Sequence, residues 1–149
     1  MISDRQTLSD RKTWMSVLAK APPVRLAELF PDLPEMTYLR PPEIGALMVQ
    51  GRVGGTGQPF NLGEMTITRC SVRLAAGAVG HAYVQGRDKG HATRAAIVDA
   101  LMQTEQAETL REAVLRPLAT EHAAVRTARA QKAAATKVDF FTMVRGEDQ

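Results

Sequence analysis

Residues 79–103, VGHAYVQGRDKGHATRAAIVDALMQ, constrain the fold more than any other stretch of the chain. Val79 to Gln85 is β-prone and reads as the last strand of a sheet. From Asp88 onward the spacing turns helical, with Ala92, Ala95, Ala96, Ala100 and Leu101 on one face and Ile97, Val98 and Met102 beside it. Gly86 stands at the junction, where a residue without Cβ turns most easily. Asp88 is placed to cap the helix by accepting from the free N–H groups of its first turn. The stretch commits the chain to a sheet that hands over to helices.

The flanking segments fit that frame. Ser3 and Gln6 form a capping-box pattern that starts a helix running to about Lys20, with Leu8, Met15 and Leu18 near one face and Trp14 and Val17 flanking. Pro22-Pro23 ends it, and a short helix from Val24 to Phe30 would bury Leu26, Leu29 and Phe30. Thr37 to Arg40 reads as a short strand broken by Pro41-Pro42, and Ile44 to Val53 as a second strand. A glycine-rich loop, residues 52–63, leads to Glu64–Leu74. There Met65 and Ile67 share one face while Cys70, Val72 and Leu74 hold the opposite parity. Either both faces are partly buried or a bulge near Arg69 shifts the phase. Ala76-Gly77 turns the chain into Val79–Gln85. Short connections between successive strands imply an antiparallel meander of three to four strands.

After the helix over 88–103, a second is expected over about 105–116, an interruption at Pro117, and a third from Leu118 to Lys137. Arg126, Arg129 and Lys132 make one side of it basic, either as a solvated surface or against a partner. The apolar tail at 137–146 would add a strand to the sheet or dock on another subunit. The expectation is one α+β domain over 1–149: N-terminal helices, a small antiparallel sheet, C-terminal helices.

Two basic corners, which could meet at one edge of the meander in a shared pocket, are candidates for anion binding. At the first, Arg87, Lys89 and His91, with Arg94 one turn on, crowd a helix N-terminus, whose partial positive charge favours phosphate or phosphonate; the plainer account is a capped helix with a solvated charged start. At the second, Arg52, Gly54, Gly55, Thr56 and Gly57 could wrap an anion with backbone N–H groups, or form a plain flexible hairpin loop. This loop is no P-loop, since no Gly-Lys-Ser/Thr ending and no helix follow it. Arg69 and Arg73 share a strand face and could extend a basic surface or be plain solvated strand residues. The net charge of +3 suits an anionic ligand or an acidic partner.

Other chemistries find little support. His81, His91 and His122 have no metal-ligand spacing, so no metal is assigned, and no nucleophile–base arrangement is readable. Asp99 reads as a surface or structural group. A nucleic-acid module would want a series of stacking aromatics on the strands, and only Tyr83 is well placed. The lone Cys70 precludes an internal disulfide, no apolar run has the length of a membrane span, and the polar N-terminus is unlike a secretory signal. Cytoplasm is therefore the expected compartment. With aromatics at only 5%, the core is thin for this length, which favours life in a complex.

Taken together, WMSVLA (14–19), RVGGTGQPFNLGEMTITRC (52–70), YVQGRDKGHA (83–92), DALMQ (99–103) and VDFFTMVRG (138–146) resemble the G subunits of bacterial carbon–phosphorus lyase core complexes. The resemblance keeps its order over nearly the whole chain; residues 20–43 and 104–136 carry less of it. It implies a subunit acting in organic phosphonate catabolism with partners of the H, I, J and L types, chiefly the large I-type subunit. MgATP and a phosphonate would be substrates of the complex, adenine the leaving group and ribose 1-methylphosphonate 5-triphosphate the product, with a radical iron–sulfur subunit breaking the carbon–phosphorus bond later. Nucleosidase chemistry would belong to the I-type subunit, and this chain would bind no cofactor and be inactive alone. Trp14, Phe140, Phe141 and Met143 are the interface candidates. The alternative is a purely structural adaptor that binds the large subunit without touching substrate.

Overall fold

The structure, a computed structural model, describes residues 8–147, with side chains through residue 136. The helix start expected at Ser3 and Gln6 lies outside the described residues, but the run expected from there to Lys20 is not one helix. Residues 8–10 form a turn and Asp10 is extended, so the helix ending at Lys20 begins only at Arg11. Helix α1 covers Arg11–Lys20 and α2 covers Pro23–Leu29. Pro23 opens α2, where its missing N–H would have had no helical partner. Leu26 is fully buried, whereas Leu29 and Phe30 are only half-buried.

Strands β1 (Met36–Arg52), β2 (Pro59–Leu74) and β3 (Val79–Gln85) form an antiparallel sheet in that order. With helices before and after it, the fold is α+β. Two strand expectations need correction. Pro41-Pro42 does not break the first strand: β1 runs through both prolines, and its register slips between Tyr38 and Arg40 and between Arg40 and Glu43. β1 is an edge strand, so a missing N–H can point away from the ladder, and the slips accommodate the rings. The glycine loop is also shorter than expected. β2 already begins at Pro59, leaving only residues 53–58 between the strands. Of the two readings of β2, the bulge near Arg69 is not found: β2 keeps its phase against β3 from Ile67 to Arg73, and the extra residues opposite Arg69 and Ser71 belong to β1. Thr68, Cys70, Val72 and Leu74 are buried at one parity and Ile67 at the other, so both faces of β2 are partly buried.

The turn at Gly77 (φ 103°) returns the Leu74 N–H to Ala78 O at 2.8 Å and leads into β3. β3 alternates buried Gly80, Ala82 and Val84 with exposed His81, Tyr83 and Gln85. Gly86 (φ 94°) then turns the chain in a conformation that favours glycine, and Asp88 caps helix α3 (Lys89–Leu101) by accepting from His91 N. α3 is buried on nearly every side, packed on all three strands and on α1 and α2. Its small residues let it lie close to the sheet. A Cβ on Gly80 would stand 1.9 Å from Ala96 O and 2.8 Å from Ala100 Cβ.

Beyond α3 come a single turn, α4 (Ala107–Leu110), a π-helical segment (Arg111–Leu115) and helix α5 (Arg116–Glu147). Pro117 therefore does not interrupt the helical run from Ala107 to Glu147; it follows directly on the π-helical segment, where the Arg116 N–H already reaches back to Arg111 O and the ordinary ladder gives way. The tail adds no strand either, because residues 137–147 continue α5. The side chains of Phe140, Phe141 and Met143 lie outside the described residues. The chain divides into two compact units, Met1–Leu118 and Ala119–Gln149. The first holds the sheet and the core. In the second, residues 120–136 are exposed, among them Arg126, Arg129 and Lys132. Among the described residues no helix is long and apolar enough to cross a membrane.

Candidate functional site

The two glycine corners do not make one pocket. Arg52 pairs with Pro59 at the end of the β1–β2 hairpin, whereas Gly86 N bonds to Thr66 O, well inside β2. At about 3.3 Å per residue, the run from Pro59 to Thr66 separates them by roughly 20 Å. β3 ends opposite Ile67, so β1 and β2 continue past it as a two-stranded ribbon.

Within the ribbon's loop, internal bonds occupy most of the groups that an anion would need. Val53 N donates to Gln58 O, and Thr56 N and Gly57 N donate to Val53 O. The Arg52 guanidinium donates to Gly57 O at 3.3 Å. Gly54 and Gly55 have positive φ, and a Cβ on Gly57 would stand 2.6 Å from Val53 O. Hairpin geometry thus accounts for these glycines.

The second corner is likewise partly occupied. Asp88 supplies an anion to the α3 N-terminus, and Arg94 Nε is tied to Phe30 O at 3.3 Å. Arg87 and Lys89 are exposed. His91, a candidate anion ligand by sequence, is instead a core residue. It is 2% exposed, with Nε2 2.7 Å from Leu18 O. The bond fixes the Nε2–H tautomer, since a carbonyl can only accept. Burial pushes the pKa of His91 down, against the upward pulls of Leu18 O and Asp88, so the ring is poised to be neutral.

Trp14 is also withdrawn from the surface. It is 6% exposed and donates from Nε1 to Asp99 Oδ1 at 2.8 Å, so its indole serves the chain's own core. Asp99, fully buried, collects two further partners: Arg11, through Nε (3.2 Å) and Nη2 (2.8 Å), and the backbone N–H of His81 (2.8 Å). One carboxylate thereby joins α1, α3 and β3.

What the fold does bring together is a polar patch on the sheet face opposite α3. The register sets Arg40, Ser71 and His81 side by side in one row and Glu43, Arg69 and Tyr83 in the next. Ser71 Oγ and His81 Nδ1 share a 2.8 Å hydrogen bond, and Arg69 donates to Glu43 Oε2 at 3.0 and 3.2 Å. The Tyr83 hydroxyl first, and Glu43 second, hold the Arg69 pKa above arginine's ordinary value. Arg40, Arg69, Ser71, His81 and Tyr83 line a cavity of about 390 Å³. Arg69, His81 and Tyr83 were visible in sequence one strand at a time. Arg40 was missed, because only strand pairing reveals its neighbours. Among the described residues, no group of three His, Cys, Asp or Glu side chains is placed to hold a metal ion.

The family model described as phosphonate metabolism protein PhnG matches residues 9–146, the sheet, its covering helices and most of α5 included. The chain belongs to the PhnG family. A family relative from Rhizobium meliloti (strain 1021), alpha-D-ribose 1-methylphosphonate 5-triphosphate synthase subunit PhnG, is 44% identical over 149 residues, covering 98% of this chain and 96% of the relative. The match thus spans both compact units of the PhnG-family chain, the ribbon and α5 alike.

Proposed function

We propose that this chain is a non-autonomous subunit of an assembly that makes alpha-D-ribose 1-methylphosphonate 5-triphosphate, and that it is inactive alone. The near full-length likeness to a synthase subunit supports the reading. The observation that carries it is the ribbon. Leu47 (46% exposed), Met48 (52%), Phe60 (43%) and Leu62 (62%) stand on strands with no sheet beneath them, and Val53 (63%) sits at the tip. So many large apolar side chains on one arm mark a surface that becomes buried in a complex.

In this reading the assembly transfers a phosphonate to the ribose carbon of MgATP and releases adenine. The chain holds the large I-type subunit, beside H-, J- and L-type partners, in the cytoplasm. The glycine corners contribute little to substrate binding, because Arg52 closes its own loop and His91 is core. That favours the structural-adaptor reading for those corners.

The test is co-purification with the partner subunits. Leu47→Asp with Leu62→Asp should abolish capture of the chain while its own melting temperature stays within a few degrees, since neither side chain is buried. Undiminished capture by the double variant would remove the ribbon from the interface. Phosphonate-dependent adenine release by the isolated chain would overturn the non-autonomous reading.

A further inference from the structure

We infer that the open face of the sheet, at the cavity between Arg40, Arg69, Ser71, His81 and Tyr83, binds a phosphoryl or phosphonyl group carried on an organic anion. The inference rests on the synthase-subunit reading for the identity of that anion and on geometry for the site. Three strands contribute to it. Neighbouring strands lie about 4.8 Å apart, so the rows Arg40–Ser71–His81 and Glu43–Arg69–Tyr83 bring two guanidinium groups, an imidazole and two hydroxyls over an area about 10 Å wide. At about 390 Å³ the cavity lies within the size range of small-molecule sites.

The chemistry is that of an oxyanion receptor. Guanidinium forks match the paired oxygens of a tetrahedral phosphorus centre, and hydroxyl and imidazole N–H groups add donors. Arg40 makes no hydrogen bond or ion pair among the described residues, so its donors are open to a ligand. Arg69 has Glu43, but both partners are exposed (side chains 40% and 59%), and an exposed pair of this kind gives way easily to a doubly charged ligand. The Tyr83 ring, 51% exposed, offers an apolar wall for the organic part. The fold itself does not need these side chains. The core lies on the opposite face, under α3.

Inorganic tripolyphosphate is the probe. Titrated into the full-length chain, it should shift the His81 and Tyr83 ring signals in NMR spectra saturably. Arg40→Gln with Arg69→Gln should weaken binding by about tenfold or more, and Glu43→Gln should strengthen it by about threefold, because the competing carboxylate is gone. Lys12→Gln, an exposed charge on α1, should change it by less than about twofold. Absence of saturable shifts, or equal weakening by Lys12→Gln, overturns the site.

A second arm uses the assembled complex. If Arg40→Gln with Arg69→Gln leaves assembly intact and raises the KM for the triphosphate or phosphonate substrate, the site stands. Intact assembly with unchanged KM overturns the site and leaves the subunit reading in place. Loss of assembly overturns it differently, showing that the face docks an acidic segment of a partner. If even the unaltered chain fails to join the partners, the subunit reading falls, and the tripolyphosphate titration still decides the site.

Discussion

The indole N–H of Trp14 donates to Asp99 Oδ1 at 2.8 Å, across 85 residues of sequence. The bond matters because the same carboxylate also holds Arg11 and the His81 amide. Removing it would take the acceptor from four N–H donors on three residues, and breaking a buried charged network by deleting one member costs about 3–5 kcal/mol. Asp99→Ala should therefore lower the melting temperature by on the order of 10 °C, whereas Trp14→Phe, which keeps most of the ring and loses one hydrogen bond, should lower it by only about a third of that. Circular dichroism melts of both variants check this. Equal losses would mean that the ring's packing, and not the carboxylate, holds α1 to α3.

Gly80 is the tightest point between β3 and α3. An added Cβ would meet backbone, Ala96 O at 1.9 Å and Ala100 N at 2.6 Å, and no flexible side chain could move aside for it. Gly80→Ala must push the helix off the sheet, at a cost of about 3 kcal/mol. Urea titration should show a midpoint well below that of the unaltered chain. A stability change smaller than about 0.5 kcal/mol would contradict the close approach.

His91 links stability to pH. Its folded-state pKa lies below the ordinary value of 6.5, chiefly through burial, so between those two values the unfolded chain binds the extra proton. Stability should therefore be full above about pH 7 and decline as the pH falls below 6.5 toward the lowered folded-state value. Denaturation curves at pH 7 and pH 5 measure the decline, and His91→Gln should flatten it. An equally steep decline in the variant would assign the effect to other groups.

Cys70 is 1% exposed, and burial pushes its thiol pKa up, against the smaller downward effect of Thr93. Only the thiolate reacts readily. A thiol reagent such as iodoacetamide should label the native chain far more slowly than the urea-unfolded chain, by about 100-fold or more. Comparable rates in the two states would show that the strand face around Cys70 opens freely.

Much of the architecture was legible locally. The strand–Gly86–Asp88–helix junction, the Ala76-Gly77 turn and the Pro22-Pro23 boundary each follow from the conformational range of a few neighbouring residues. Pro41-Pro42 and Pro117 misled for one reason. A proline ends an element only where its missing N–H or its ring has nowhere to go, and an edge strand and a π-helical segment both provide a place. The candidate site was less legible still. Arg52 and Arg87 look alike in sequence, both beside glycine and both near strand ends. Yet one sits at the tip of a ribbon and the other against the body of the sheet.

The sequence by itself determined the helix–sheet–helix order, the capped glycine junction and the likeness to a known family of subunits, because these depend on residue types at short spacing. Only the tertiary structure decided that Trp14 and His91 are core, that Asp99 joins three elements, and that Arg40, Arg69 and His81 share a face. Those outcomes depend on which strands pair and in what register. A shift of one residue would turn every side chain of a strand to the other face, and no local signal announces the partner.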